Sequence, residues 1–394
     1  MARLLEGIRV LDFGRFIAGP FSAMMLADFG ADVIRIERRE GGEDRRVGPV
    51  VKSGDGSLFL NVNRNKRGMT LDPAHPQAAE IIHRLVKSAD VVVANLPPDV
   101  LKRLKLDYDS LKAIKDDIIL VMPSAFGPDG PYRDRVGFDG VAQAMSGAMS
   151  LTGFPDAPVR ATVSFVDYGT ALHAAFGALA ALYHRAQTGE GQAIDVSLLA
   201  TSVTFMTPFL MERQLTGIVR KRQGNTGYYT APSDAYRTRD GWINVPTIGD
   251  SMFRRWARLV GREDLIDDPR LKDDVARAGH ADLISDVMTR WCSTRTRDEA
   301  VGELERARIP SGPVYELDEV LADPQVQARR LLEETAYSGD DRPVPVSSPA
   351  ARLSRTPADV RRGAPMLGEH TDEVLAELGF TANQIDAFRS QGVV

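Results

Sequence analysis

Between Ile8 and Glu37 the chain runs strand, helix, strand, an order that fixes a parallel pairing and so a sheet flanked by helices. Ile8 to Phe13 reads as a strand. Phe21 to Phe29 reads as an amphipathic helix with Phe21, Met24, Met25 and Phe29 on one side, Pro20 in its first turn and Gly30 at its stop. Asp32 to Glu37, with Val33, Ile34 and Ile36, is the second strand. A helix from about Pro76 to Lys87 and strands at Asp90 to Ala94 and Asp117 to Met122 continue the alternation. These strand cores are apolar with little alternation, which suits a sheet buried on both faces. The predicted class is α/β, with a Rossmann-like open parallel sheet in a large domain over residues 1–212.

The pattern changes after residue 212. Arg213 to Ser233 is polar and reads as a loop or linker, in which Gly224 to Gly227 is either an interdomain turn or a closing lid. Tyr236 to Val245 reads as a hairpin turning at Asp240-Gly241. Helices are expected at Ser251 to Val260, Ala281 to Cys292 and Arg297 to Ala307, giving a smaller α+β domain over 225–320. The C-terminal segment 321–394 is expected to return to the large domain. Its stretch Arg342 to Pro357 extends away, and Thr371 to Leu378 forms a helix.

Composition removes several function classes. A net charge of −5 argues against nucleic-acid binding. The six histidines are scattered and no cysteine pair exists, so no metal site is expected. The one cysteine, Cys292, cannot form an intrachain disulfide and reads as a packed core residue, which favours a reducing, cytoplasmic compartment. Met1 to Val10 does not resemble a signal peptide. The weakly polar stretches Thr170 to Tyr183 and Leu198 to Met211 are too short to span a bilayer, so no membrane partner is expected.

Asp167 is the candidate catalytic residue. Ala161 to Val166 is strand-like, and after it Leu172, Ala175, Phe176, Leu179 and Leu182 recur at helical steps, predicting a long buried helix. A carboxylate at that junction is either an N-cap or an exposed nucleophile, and the helix terminus would hold it as the anion. A second candidate site is cationic: Arg38, Arg39, Arg45, Arg46, Arg64, Lys66 and Arg67 follow strands of the sheet. Open α/β sheets bind ligands at the carboxyl ends of their strands, and arginine forks suit phosphate. The first turn, Gly14 to Pro20, lacks both dinucleotide and phosphate-loop glycine spacing, which counts against an NADP-dependent reductase.

Motifs from end to end resemble the class III CoA-transferases, the carnitine and formyl-CoA transferase family. They are LEGIRVLDFGRFIAGPFSAMMLADFGADVIRIERREGGED near the start, NRNKRGMTLD from Asn63, DVVVANL from Asp90 and GFDGVAQAMSG from Gly137. DYGTALH from Asp167, TGEGQAIDVSLL from Thr188, DGWINV from Asp240, IPSGPVY from Ile309 and LGEHTDEVLAELG from Leu367 complete the set. The resemblance implies an interlocked, ring-like homodimer with no permanently bound cofactor, taking CoA and acyl-CoA as substrates along with a small carboxylic acid. It places the catalytic aspartate on Asp167. CoA contacts fall on Arg38, Lys66, Arg67, Asn95, Leu96, Arg103 and Asp139. The implied reaction passes CoA from an acyl-CoA to the acid through an aspartyl anhydride and an aspartyl-CoA thioester. Backbone N–H groups after Asp167 are the expected oxyanion donors.

The chain departs from formyl-CoA transferase at Ile17 and Val136, where that enzyme has glutamine and lysine. The first change argues against oxalate as acceptor, and the second removes a polar CoA contact. An α-methylacyl-CoA racemase would use a Gly-His-Asp motif, but this chain reads Gly137-Phe138-Asp139, and phenylalanine cannot move a proton. His173, expected to be a bonded core residue, is a poor replacement. A non-catalytic acyl-CoA-binding protein would have no use for Asp167.

Overall fold

The computed structural model describes residues 3–394, which divide into two compact units. The larger comprises residues 3–148, Arg160–Ile218 and Gln327–Val394; the smaller comprises Met149–Val159 and Val219–Val326.

The larger unit is built on six strands, all paired in parallel: β1 (Arg9–Asp12), β2 (Asp32–Glu37), β3 (Arg67–Thr70), β4 (Val91–Val93), β5 (Ile119–Ser124) and β6 (Ala193–Ser197). Their order is β3-β2-β1-β4-β5-β6, so the winding reverses between β1 and β4. A crevice opens at such a switch point, outside the carboxyl ends of the strands. Side chains alternate between two cores. Leu11, Ile34, Met69, Val92 and Leu120 face helix Ala78–Ser88 and the C-terminal helices Thr371–Glu377 and Ala382–Ser390. Val10, Val33, Val91, Val93, Ile119 and Val121 face the other side, against α1 (Ala18–Asp28) and α3 (Phe165–Thr188). A short helix, α2 (Asp139–Met145), and a long one, α4 (Leu198–Thr216), complete the surroundings of the site.

Helix α3 corrects three expectations. No strand precedes it: Phe165 and Val166 are already helical, so Asp167 is the third helical residue and Ser164 occupies the cap position. Of the expected face, Ala175, Leu179 and Leu182 turn inward, beside Ala171, Ala174, Ala178 and Ala181, which are small enough for close packing on α1 and β5. Leu172, Phe176 and Tyr183 point outward and are 51%, 74% and 69% exposed. The helix also runs past its apolar stretch at both ends. At 24 residues it is long and apolar enough to cross a membrane, whereas its apolar stretch alone was judged too short. Half of that apolar window is nevertheless buried in the chain, as in the core helix of a globular fold.

The smaller unit carries a three-stranded antiparallel sheet in the order Gly312–Pro313, Trp242–Pro246, Ser233–Arg237. Helices Asp250–Leu259, Ala281–Ser293 and Arg297–Arg306 pack on it around Phe253, Trp256, Met288 and Trp291. Cys292 belongs to this core, and burial pushes its thiol up to about 12. The Gly224–Gly227 segment is tied inside the same unit, Gly224 N donating to Gly153 O at 2.8 Å and Gly227 N to Ser233 O at 2.7 Å. Within residues 342–357, expected to extend away, Val344–Ser347 instead pairs antiparallel with Leu332–Thr335 in the larger unit.

Candidate active site

The carboxylates of Asp167 and Asp139 form the most unusual electrostatic pair of the larger unit. Asp139 opens α2 and is buried. Its carboxylate accepts hydrogen bonds from Val166 N at 2.8 Å and Asp167 N at 3.2 Å, capping α3 from a neighbouring helix. Gln143, one turn on, donates to the same carboxylate and holds it in place. Asp167 has no cation among the described residues to offset its charge. Burial, then the charge of Asp139, pushes its carboxyl up to about 7. The sequence led to the opposite expectation, because a helix terminus alone lowers a carboxylate. Here desolvation and a like charge win.

The same arrangement corrects the oxyanion assignment. Val166 N and Asp167 N are taken by Asp139, and Tyr168 N donates to Ser164 O at 3.1 Å. Asp139 therefore acts on the helix that carries Asp167. Its buried carboxylate is filled by these donors, and so is badly placed to meet CoA.

Opposite this pair lies the turn from Gly14 to Ala18, whose shape is imposed by buried charge. Asp12, fully buried at the end of β1, accepts from Gly14 N at 2.8 Å. Arg35 donates to Gly14 O at 2.9 Å and to Asp44 at 2.6 Å, and Asp44 in turn accepts from Phe16 N at 3.3 Å. Asn95 accepts from Arg15 N at 2.7 Å and donates to Arg15 O at 2.8 Å. These bonds hold Phe16 at φ 60°, a left-handed conformation costly for a bulky residue. The Phe16 ring then meets Phe138, the residue before Asp139, edge-on at a centroid distance of 5.5 Å. A second ring pair lies nearby, Phe21 of α1 meeting Tyr168 of α3 edge-on at 4.9 Å.

Lys66 belongs to this clamp. It is fully buried, and its ammonium donates to Asp12 at 2.7 Å, Pro20 O at 2.8 Å and Asn63 Oδ1 at 2.7 Å, which uses all three protons. Burial pulls its pKa down to about 8 against the opposing pull of Asp12. Arg67 is equally committed, to Asp32, Glu373 and Glu377 at the start of β3. Arg45 pairs with Glu37 and Asp55, and Arg64 with Asp28. Four of the seven cations expected to bind phosphate are thus internal ion-pair partners. A run of basic residues does not reveal which carboxylates the fold brings to it.

Arg38 remains available. It is exposed after β2 and lines a cleft at the carboxyl ends of β1 to β4 with Phe13, Gly14, Leu71 and Leu96. Leu96 also borders a second cleft at the ends of β4 to β6, lined by Asn95, Ser124, Arg135, Val136 and Gly137. Arg103 is exposed on helix Pro98–Leu104 and lines neither cleft. His173 is exposed rather than in the core, with Nδ1 3.3 Å from Thr201 Oγ1. Asp12, Arg35, Asp44 and Gln143 had not been singled out. The only signal for them was an acidic residue closing a strand just before Gly14.

Known proteins match this architecture over the whole chain. The family model for CoA-transferase family III matches residues 5–371. The succinyl-CoA–D-citramalate CoA-transferase of Chloroflexus aurantiacus is 34% identical over 100% of this chain and 98% of its own. The succinate–glutarate CoA-transferase of Agrobacterium fabrum is 36% identical over 95% of each. Among solved structures, a CAIB/BAIF family protein from Brucella suis aligns with a TM-score of 0.85 at 33% identity, covering 96% of this chain and 100% of that one. A Mycobacterium tuberculosis protein, Rv3272, aligns with a TM-score of 0.83 at 28% identity, covering 95% and 99%. With motifs, fold and relatives in agreement, the chain belongs to CoA-transferase family III and is an enzyme that transfers CoA.

Proposed function

We propose that this enzyme moves CoA from succinyl-CoA, or another short acyl-CoA, to a small carboxylic acid, with Asp167 as the nucleophile. The observation that carries this reading is the Asp167 carboxyl, pushed up to about 7 with no cation among the described residues acting on it. A desolvated, more basic carboxylate is a better nucleophile, and it is still substantially ionised at neutral pH. The relatives named for succinyl-CoA, succinate and glutarate support the donor.

Asp167 Oδ attacks the thioester carbonyl, and the carbon–sulfur bond breaks to give an acyl-aspartyl anhydride and CoA thiolate. The thiolate attacks the aspartyl carbonyl; the anhydride carbon–oxygen bond breaks, leaving aspartyl-CoA and the free donor acid. The incoming carboxylate attacks this thioester and expels the thiolate, which then takes the new acyl group and restores Asp167. Since the amides at the start of α3 are occupied, the first turn of α1, which has no side-chain cap, is the proposed source of oxyanion donors. Arg38, Asn95, Leu96 and Arg103 are the proposed CoA contacts, the phosphates lying toward the arginines.

The exposed Leu172, Phe176 and Tyr183 of α3, with Phe205, Met211 and Leu215 of α4, favour a homodimer, interlocked as the family resemblance implies. Phe138, exposed and meeting Phe16 edge-on, supplies no second base, which disfavours the racemase reading. Mass spectrometry after mixing with succinyl-CoA and small acids tests the proposal. The expected result is a CoA or acyl increment on the Asp167 peptide together with new CoA esters. Exchange of the acyl α-proton with solvent, without any increment, would replace it with isomerase chemistry.

A further inference from the structure

Arg160 lies against α2, and among the described residues it has no anionic partner. Its stem lies across Gly140, the second residue of α2; a Cβ at that position would come within 2.8 Å of Arg160 Cδ. Glycine there admits the close approach of a side chain that any other residue would push aside. The next residue is anchored as well. Ala161 N donates to Gln143 Oε1 at 3.0 Å, and Gln143 donates in turn to Asp139. Arg160 and Asp167 are therefore both referred to the first turn of α2, one through Gly140 and the other through Asp139. Among the described residues no carboxylate lies within ion-pair distance of the Arg160 guanidinium. Arg35, Arg45, Arg64 and Arg67, in the same unit, are all paired. Arg160 is exposed, so substrate can reach it.

Its charge is also kept from the nucleophile. The Asp167 carboxyl sits well above the usual range because of burial and Asp139, with no cation acting against them. An arginine in contact with Asp167 would have pulled it down. Arg160 is thus not among the charges acting on Asp167, although both are tied to the first turn of α2.

We propose that Arg160 binds the far carboxylate of a dicarboxylic substrate whose near carboxyl reacts at Asp167. This inference rests on the transferase reading and adds the class of acid: a short dicarboxylate rather than a monocarboxylate. The planar guanidinium suits a two-point contact with that carboxylate.

The test is a competition. Wild-type protein and Arg160→Gln receive succinyl-CoA and equal concentrations of glutarate and pentanoate, acids of equal carbon number that differ in the far carboxylate. Both acids compete for the same aspartyl-CoA intermediate, so the ratio of glutaryl-CoA to pentanoyl-CoA is independent of the donor step. Wild type is expected to favour glutarate, and Arg160→Gln to lower the ratio about tenfold or more. Arg160→Lys should recover part of it. Gly140→Ala, which displaces the stem, should lower it in the same direction. An unchanged ratio in Arg160→Gln, or a wild type indifferent to the far carboxylate, overturns the proposal. If the wild type forms neither ester, the transferase reading itself fails and this inference falls with it.

Discussion

The larger unit contains two buried charge clusters of opposite design. Around Asp12, Arg35, Asp44 and Lys66 every charge meets its opposite, and the hydrogen bonds end on the backbone of the Gly14–Ala18 turn. Burial pushes Asp12 up, but Lys66 and Arg35 outweigh it, so its carboxyl lies below the usual range. Around Asp167 two carboxylates are close together and, among the described residues, neither has an ion-pair partner, so Asp167 is driven the other way. The first cluster spends electrostatic energy on shape, and the second stores it in a reactive group. What sets them apart is partner placement, since both are largely buried and both are rich in aspartate.

The contrast is broken most severely by Asp167→Ala. Transfer should fall by at least about a thousandfold, since covalent catalysis loses its nucleophile, while acyl-CoA binding measured by calorimetry changes little. Lys66→Met attacks the other cluster. It takes the closer of two cations from buried Asp12, leaving Arg35 at 3.7 Å, and the expected loss is about 3 kcal/mol of stability in urea unfolding. Equal stability would mean that the clamp is not electrostatic.

Asp167→Asn should instead stabilise the protein at pH 8. A carboxyl raised in the folded state from about 3.8 to about 7 favours folding at low pH and loses that contribution as pH rises through 7. Removing the charge should return roughly 2 kcal/mol or more at pH 8, with no gain at pH 4, as read from thermal unfolding at the two values. The same sign governs activity. The ionised form attacks, so kcat/KM should rise with pH and level off above about 7. Asp139→Asn, which keeps an acceptor for the amides of α3 but removes the like charge, should move that limb to lower pH. A limb that stays in place would assign the whole shift to burial. Smallest is Arg38→Ala, expected to raise KM for acyl-CoA about tenfold with kcat little changed.

Much of the sheet was legible because apolar runs separated by helix signals leave few alternatives; β2 was placed at Asp32–Glu37 from its Val and Ile residues alone. Strand β3 was missed because it opens on Arg67, which looked like a ligand for phosphate and is in fact a buried ion-pair partner. That error and the one at Lys66 share a cause. Sequence displays charge, but burial and pairing arise only when Asp12 and Asp32 are brought beside residues more than thirty positions away. Asp167 was found by its place near the start of a helix, while the direction of its pKa was misread. The carboxylate responsible, Asp139, lies 28 residues earlier on another helix. Helix α3 was legible as a helix, and Ala175, Leu179 and Leu182 of its expected face do turn inward, but Leu172 and Phe176 point outward where alanines allow the closer packing.

Cys292 offers a use beyond packing. It is the chain's sole cysteine and lies in the core of the smaller unit, its thiol pushed up to about 12. A thiol reagent can reach it only when that unit opens, so the labelling rate is a clock for opening of the smaller unit alone. The native sequence therefore carries its own single-site reporter, and substrate-induced tightening could be timed without introducing a label.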